Sequence, residues 1–160
     1  MQPTTFHYTI FIAAKASTVW NGLRDPEITS KYWGHHNVSD WIEGADWSHV
    51  RSDGSGVKDV SGKVLECREN QKLRLTWRFL GEAHEKANLD LSHDGPSEVT
   101  ITLTALGPDC KLDVQHTGLL PDAPTREGWP AVFSNLKTYL ETGKTLSDDQ
   151  WGDAKPTPED

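Results

Sequence analysis

A single long amphipathic helix has to cover a great deal of strand. Between Thr125 and Thr142, the residues Trp129, Val132, Phe133, Leu136 and Leu140 form one apolar stripe on a 3.6-residue period, and Gly143 supplies the stop. Upstream the period is two. Lys72–Phe79 sets Leu73, Leu75, Trp77 and Phe79 on one face against Arg74, Thr76 and Arg78 on the other. Ser97–Ala105 does the same with Val99, Ile101 and Leu103 against Thr100, Thr102 and Thr104, and Cys110–Thr117 aligns Leu112, Val114 and His116. Phe6–Ile12, Val38–Trp41, Asp46–Ser52 and Val57–Arg68 complete the strands, with Gly62 read as a bulge in the last. Two short helices follow the first strand. One lies within Ala13–Leu23; the second opens at Asp25-Pro26, an N-cap followed by a first-turn proline, and closes at Gly34. A half-apolar sheet needs a cover, and only the C-terminal helix is long enough. The expected fold class is therefore α+β: a curved antiparallel sheet of about six to seven strands around that helix, with a cavity between them.

The 160 residues suit one domain over 1–143, followed by an acidic tail over 144–160 that reads as disordered. No apolar run approaches the ~18 residues of a membrane span. Lys and Arg number 16 against 24 Asp and Glu, a formal charge of −8. That balance lacks the basic footprint of a nucleic-acid binder and disfavours an anionic membrane surface. Cys67 and Cys110 are too few for a disulfide framework, and the N-terminus has no basic start before an apolar run, so a cytoplasmic protein with free thiols is expected. Phosphate loops, dinucleotide fingerprints and nucleophile elbows do not occur, and no cofactor is expected. His35, His36 and His49 lack metal-ligand spacing and read as exposed loop histidines.

Aromatic residues comprise seven Trp, four Phe and three Tyr, an excess of the residue that is hardest to bury because its indole N–H needs a partner. Trp20, Trp33, Trp41, Trp47, Trp77 and Trp129 fall in elements that line or close the expected cavity, either filling it or walling a pocket. Trp77 and Trp129 face each other across the gap between sheet and helix. His116 points inward, as a hydrogen-bonded core residue or as a group that orients a ligand or takes a proton. Glu66 follows Val64 with strand period; facing inward it needs a partner such as Arg51 or His116, and if the bulge at Gly62 shifts the phase it is a surface residue. The candidate ligand-binding set is Tyr8, Trp33, Trp41, Arg51, Glu66, Trp77, Phe79, His116, Trp129 and Phe133, with no residue assigned to catalysis or to a metal.

Several segments carry a family likeness: Tyr8 to Ala14, Val19-Trp20-Asn21-Gly22-Leu23, Val38-Ser39-Asp40-Trp41, Gly62-Lys63-Val64-Leu65-Glu66, the Leu73–Trp77 strand, Val114-Gln115-His116-Thr117-Gly118, and Trp129 through Asn135-Leu136-Lys137 to Gly143. In order, over about residues 6 to 143, they resemble the activator of heat-shock-protein-90 ATPase homologues, within the START-like or SRPBCC superfamily. One departure is Glu69-Asn70, where similar proteins often carry a proline pair. The resemblance implies the helix-grip fold, and it adds two functions to the one the cavity and its tryptophans suggest. The first is binding of a small hydrophobic or aromatic molecule between sheet and helix. The second is an enzyme of cyclase or hydrolase type acting on a polyketide-like substrate through His116 and a carboxylate. The third is a co-chaperone-like protein modulating a chaperone ATPase. Chaperone activators of the family carry a separate N-terminal domain, whereas this chain starts at its first strand, so a chaperone partner is disfavoured. Ligand binding by a monomer or weak dimer, with enzyme activity the lesser expectation, is the leading reading.

Overall fold

A computed structural model of the chain describes residues 4–81, 97–119 and 125–146, with side chains in the last segment from Gly128 onward. The polar loop expected over Gly81–Pro96, apart from Gly81 itself, and the tail from residue 147, with Trp151, lie outside the described residues.

The strands are β1 (Thr4–Ile12), β2 (His35–Ser39), β3 (Asp46–Arg51), β4 (Lys58–Arg68), β5 (Lys72–Phe79), β6 (Ser97–Leu106) and β7 (Asp109–Leu119). The helices are α1 (Ala16–Arg24), α2 (Pro26–Trp33) and α3 (Thr125–Thr142). All pairings are antiparallel, in the order β1-β7-β6-β5-β4-β3-β2, so the first and second strands of the chain form opposite edges of one sheet. The seven-stranded helix-grip architecture agrees with the sequence expectation.

Local chemistry explains the boundaries. Asp25 caps α2 by accepting from the Glu27 N–H at 2.9 Å, Pro26 occupies the first turn, and Gly34 ends the helix at φ 71°. The β4–β5 turn, where Glu69-Asn70 departs from the usual proline pair, closes with Asn70 in the left-handed region at φ 63° and a Gln71 N–H to Arg68 carbonyl bond of 2.9 Å. On the inner face, Leu73, Leu75, Trp77, Val99, Ile101, Leu103, Leu112, Val114 and His116 are all buried, as their alternation requires. Against them α3 buries Trp129, Val132, Phe133 and Leu136, each worth about 1.5–3 kcal/mol of apolar transfer. Asn135 of α3, 1% exposed, donates to the Tyr32 carbonyl at 3.0 Å and accepts from the Leu146 N–H at 2.6 Å, pinning α2 and the chain beyond α3 to one side chain.

Three expectations are corrected. The second strand covers His35–Ser39 rather than Val38–Trp41; Trp41 sits in the following bend at φ 56°, half-buried, with its N–H held by the Ser39 hydroxyl at 3.0 Å. Gly62 is not a bulge. The β4–β5 offset is the same at Val60, Ser61 and Val64, on both sides of Gly62, and shifts only between Val64 and Glu66. Glycine is required at 62 for a different reason: a Cβ there would lie 2.0 Å from the Thr76 carbonyl oxygen, which accepts the Trp47 indole N–H at 2.8 Å. The shift past Val64 also settles the phase of Glu66, described below.

Gly62→Ala is expected to lower stability by about 3 kcal/mol, because the contact is with backbone that cannot rotate away. Urea unfolding followed by tryptophan emission measures this, and the folded-state emission should change as the Trp47 bond is disturbed.

Candidate functional site

Beneath α3 the inner face of the sheet carries a continuous body of rings. Trp77 of β5 lies at its centre, 5.3 Å from Trp129, 5.6 Å from His116, 5.1 Å from Trp47, 5.7 Å from His49, 6.1 Å from Phe79 and 6.3 Å from Trp33, between centroids. Trp129 stacks on Phe133 at 5.3 Å, and Trp33, at the end of α2, meets Trp129 edge-on at 5.5 Å. These separations and tilts are those of favourable aromatic contacts. Trp77, Trp129 and Phe133 are buried, whereas Trp33 and Phe79 are half-buried and form the rim.

The polar atoms inside follow a single chain of donors. Trp129 Nε1 can only donate, and does so to His116 Nδ1 at 3.0 Å. The imidazole hydrogen therefore sits on Nε2, which donates to the Ser97 hydroxyl oxygen at 2.7 Å, and Ser97 in turn donates to the Trp77 carbonyl at 3.0 Å. Burial lowers the His116 pKa from 6.5 to about 3. A neutral imidazole with both nitrogens engaged has no free position for proton transfer. The Trp77 indole N–H is the exception: buried, it has no acceptor among the described residues. An orphaned donor of this kind costs about 1–3 kcal/mol.

At the other end the rings grade into charge. His49 is buried, with Nδ1 2.5 Å from Asn37 Oδ1 and its ring stacked on His35 at 3.8 Å and 6°. His35 faces two acceptors, the Trp33 carbonyl at 3.0 Å from Nδ1 and the Asp59 carboxylate at 2.7 Å from Nε2. Both nitrogens carry hydrogen when both bonds are made. Arg51 grips the same carboxylate through Nε and an Nη at 2.8 and 2.9 Å. Burial opposes the charge on Asp59, but the bonds and charges of His35 and Arg51 outweigh it and hold the carboxyl well below its ordinary range. The His49 pKa lies well below 6.5, first through burial and then through the adjacent charge of His35.

Of the ten residues expected to bind ligand, Trp33, Trp77, Phe79, His116, Trp129 and Phe133 are brought together in the ring cluster. Arg51 is linked to it through Asp59, His35 and His49. Tyr8 on β1 and Trp41 after β2 pack half-buried against the core and make no ring contact with the cluster among the described residues. Glu66 is a correction. The register shift turns it to the outer face, paired with Arg68 at 2.8 Å, Lys72 at 3.4 Å and Arg74 at 3.6 Å, while Cys67 packs inward. His35, His36 and His49 are likewise not exposed loop residues but lie in β2 and β3, with His49 4% exposed. Asn37, Asp59 and Ser97 were missed. His49 was legible two residues after Trp47, on the same strand face; Ser97 and Asp59 carried no such signal. Both thiols are free, with Cys110 buried and Cys67 half-buried, and burial pushes both pKa values up. A separate open groove of about 400 Å³ lies on the outer face, lined by His7, Lys72, Thr100, Thr102, Asp113 and Gln115, remote from the tryptophans.

The family model described as Activator of Hsp90 ATPase homolog 1-like protein matches residues 13–141. No curated protein sequence matches the chain. Among solved structures, CalU16 from Micromonospora echinospora is 19% identical with a TM-score of 0.66, over 88% of this chain and 78% of its own. The Aha1 dimer from Colwellia psychrerythraea is 19% identical with a TM-score of 0.65, over 88% and 98%. DynU16, of the dynemicin biosynthetic locus, is 22% identical with a TM-score of 0.66, over 89% of this chain and 49% of its own.

The buried histidines predict a direction with pH. Above 6.5 both the folded and the unfolded chain hold His116 neutral. As pH falls below 6.5 the unfolded chain binds a proton that the folded one refuses, down to about 3, so stability drops. His116 alone should cost about 1.4 kcal/mol per pH unit in that window, and His49 adds to the same trend. Urea midpoints at pH 7.0 and 5.0 measure the loss, which should shrink in His116→Gln.

Proposed function

We propose that this chain, which belongs to the Activator of Hsp90 ATPase homolog 1-like protein family, binds a planar, largely apolar small molecule at the aromatic cluster between sheet and C-terminal helix. The observation that carries the reading is the Trp77 indole N–H, buried and without an acceptor among the described residues, at the centre of the ring cluster. A ligand that stacks on the half-buried rings of Trp33 and Phe79 and turns an oxygen toward Trp77 relieves that penalty. Apolar burial supplies most of the affinity, at roughly 25 cal/mol per Å², and the indole supplies direction. Trp129 and Phe133 form the helix side of the wall. Tyr8 and Trp41 support the walls rather than touch the ligand, and Arg51 acts through Asp59.

Catalysis by acid and base through His116 is not favoured, since both its nitrogens are engaged and Glu66 lies on the opposite face of the sheet. A cytoplasmic setting fits the two free thiols, and no helix among the described residues is long and apolar enough to cross a membrane. The family description favours a second reading, modulation of a chaperone ATPase by a monomer or weak dimer. A pull-down with that chaperone and an ATPase assay test it; unchanged turnover removes it.

Fluorescence titration tests the first reading. A planar aromatic ketone should quench or shift tryptophan emission on binding, and Trp77→Phe should weaken it about fivefold, the worth of one hydrogen bond, while leaving naphthalene unaffected. Absence of binding by every aromatic probe in a broad set would falsify the reading.

A further inference from the structure

His49 is a second polar group in the ring cluster that neither the fold nor the hydrogen-bond chain from Trp129 accounts for. It is 4% exposed, lies on the same strand face as Trp47, and sits 5.7 Å from Trp77 and 4.9 Å from Trp33 between ring centroids. Its Nδ1 is committed to Asn37 Oδ1, and an amide oxygen can only accept. The ring hydrogen therefore sits on Nδ1, which leaves Nε2 a lone-pair acceptor with no partner among the described residues. Stacking on His35 closes one face of the ring, while Trp33 and Trp77 lie against it within the cluster. One unpaired donor, Trp77 Nε1, and one unpaired acceptor, His49 Nε2, thus belong to neighbouring rings. The two rings lie 5.7 Å apart between centroids, close enough for one edge of a ligand to reach both.

Building on the ligand-binding reading above, we propose that Trp77 and His49 together recognise a carbonyl oxygen and an adjacent N–H or O–H on one edge of a neutral planar ring system, the pattern an aromatic lactam presents, with Trp77 donating to the oxygen and His49 accepting from the hydrogen. Neutrality follows from the surroundings. The carboxylate at this end, Asp59, already holds the Arg51 guanidinium and the His35 ring, so a charged ligand would be desolvated without a dedicated counter-ion. The selectivity is that of any site with buried polar groups: an analogue that lacks one partner leaves the other unsatisfied.

Three matched probes separate this inference from its foundation. They are quinolin-2-one, which has donor and acceptor; N-methylquinolin-2-one, which keeps only the acceptor; and naphthalene, which has neither. The wild-type protein should bind quinolin-2-one about fivefold more tightly than its N-methyl derivative, and His49→Phe should reduce that ratio to less than twofold while keeping the preference of both carbonyl probes over naphthalene. In nitrogen-15 histidine spectra of the wild-type protein, which depend on no variant folding, the unprotonated Nε2 resonance of His49 should move toward the protonated range with quinolin-2-one and stay in place with the N-methyl probe. If both quinolinones bind equally and the His49 resonance does not move, the role of His49 is overturned while the aromatic site stands. If none of the three binds, both fall.

Discussion

The hydrogen bond from Trp129 to His116 is the point on which the arrangement of sheet and helix turns. Helix and sheet otherwise meet through apolar surface, which rewards contact but does not specify register. A directional bond buried beneath the helix removes that freedom, because any sliding of α3 would strand an indole donor and an imidazole acceptor together. The bond also reaches back through Ser97 to the β5 backbone at Trp77, so that β5, β6, β7 and α3 share one polar thread inside an apolar core. The same thread uses up the histidine that acid–base chemistry would need. A residue that looks like a catalytic candidate from its inward position is here a structural pin.

From that pin outward the interior changes character in order. His116 and Trp129 are fully matched. Trp77 is matched through its carbonyl but not its indole. His49 is matched on one nitrogen, and beyond it His35 and Arg51 share the Asp59 carboxylate. Within the ring cluster the unmatched atoms thus lie in the middle, where apolar rings surround them. Such a distribution is costly as core packing and useful as recognition.

Much of this was legible from period alone. Strands β5, β6 and β7 alternate cleanly because one face is buried and the other solvated, and α3 has a single stripe because only one side of it faces the core. The meeting of Trp77 and Trp129 followed from those two facts. What period could not convey was phase across irregularities. The face of Glu66 was left open between inward and surface because the register shift after Val64 depends on backbone pairing rather than residue type, and Gly62 was read as the irregularity because a strand glycine admits two causes, a bulge or a close approach. His35 was placed in a loop because β2 begins three residues earlier than its apolar content suggests, whereas the strand expected over Asp46–Ser52 already held His49. The start of β2 is set by pairing with β3 and by α2 packing on it. Ser97 and Asp59 act through partners far away in sequence, and a lone serine or aspartate carries no trace of such a partner.

The placement of β1 and β2 at opposite edges has a consequence for the order in which the molecule closes. Helices α1 and α2 form a strap that crosses the mouth of the sheet, with α1 packed against β6, β7 and α3 and α2 against β2 and α3. α2 packs on β2, its neighbour in sequence, whereas α1 rests on β6 and β7, and β1 pairs with β7, about a hundred residues away. Contacts of such sequence separation form slowly. One end of the strap is thus held by a local contact and the other by strands from the far part of the chain. Trp33, at the end of α2, brings its wall of the aromatic cluster from the locally held end.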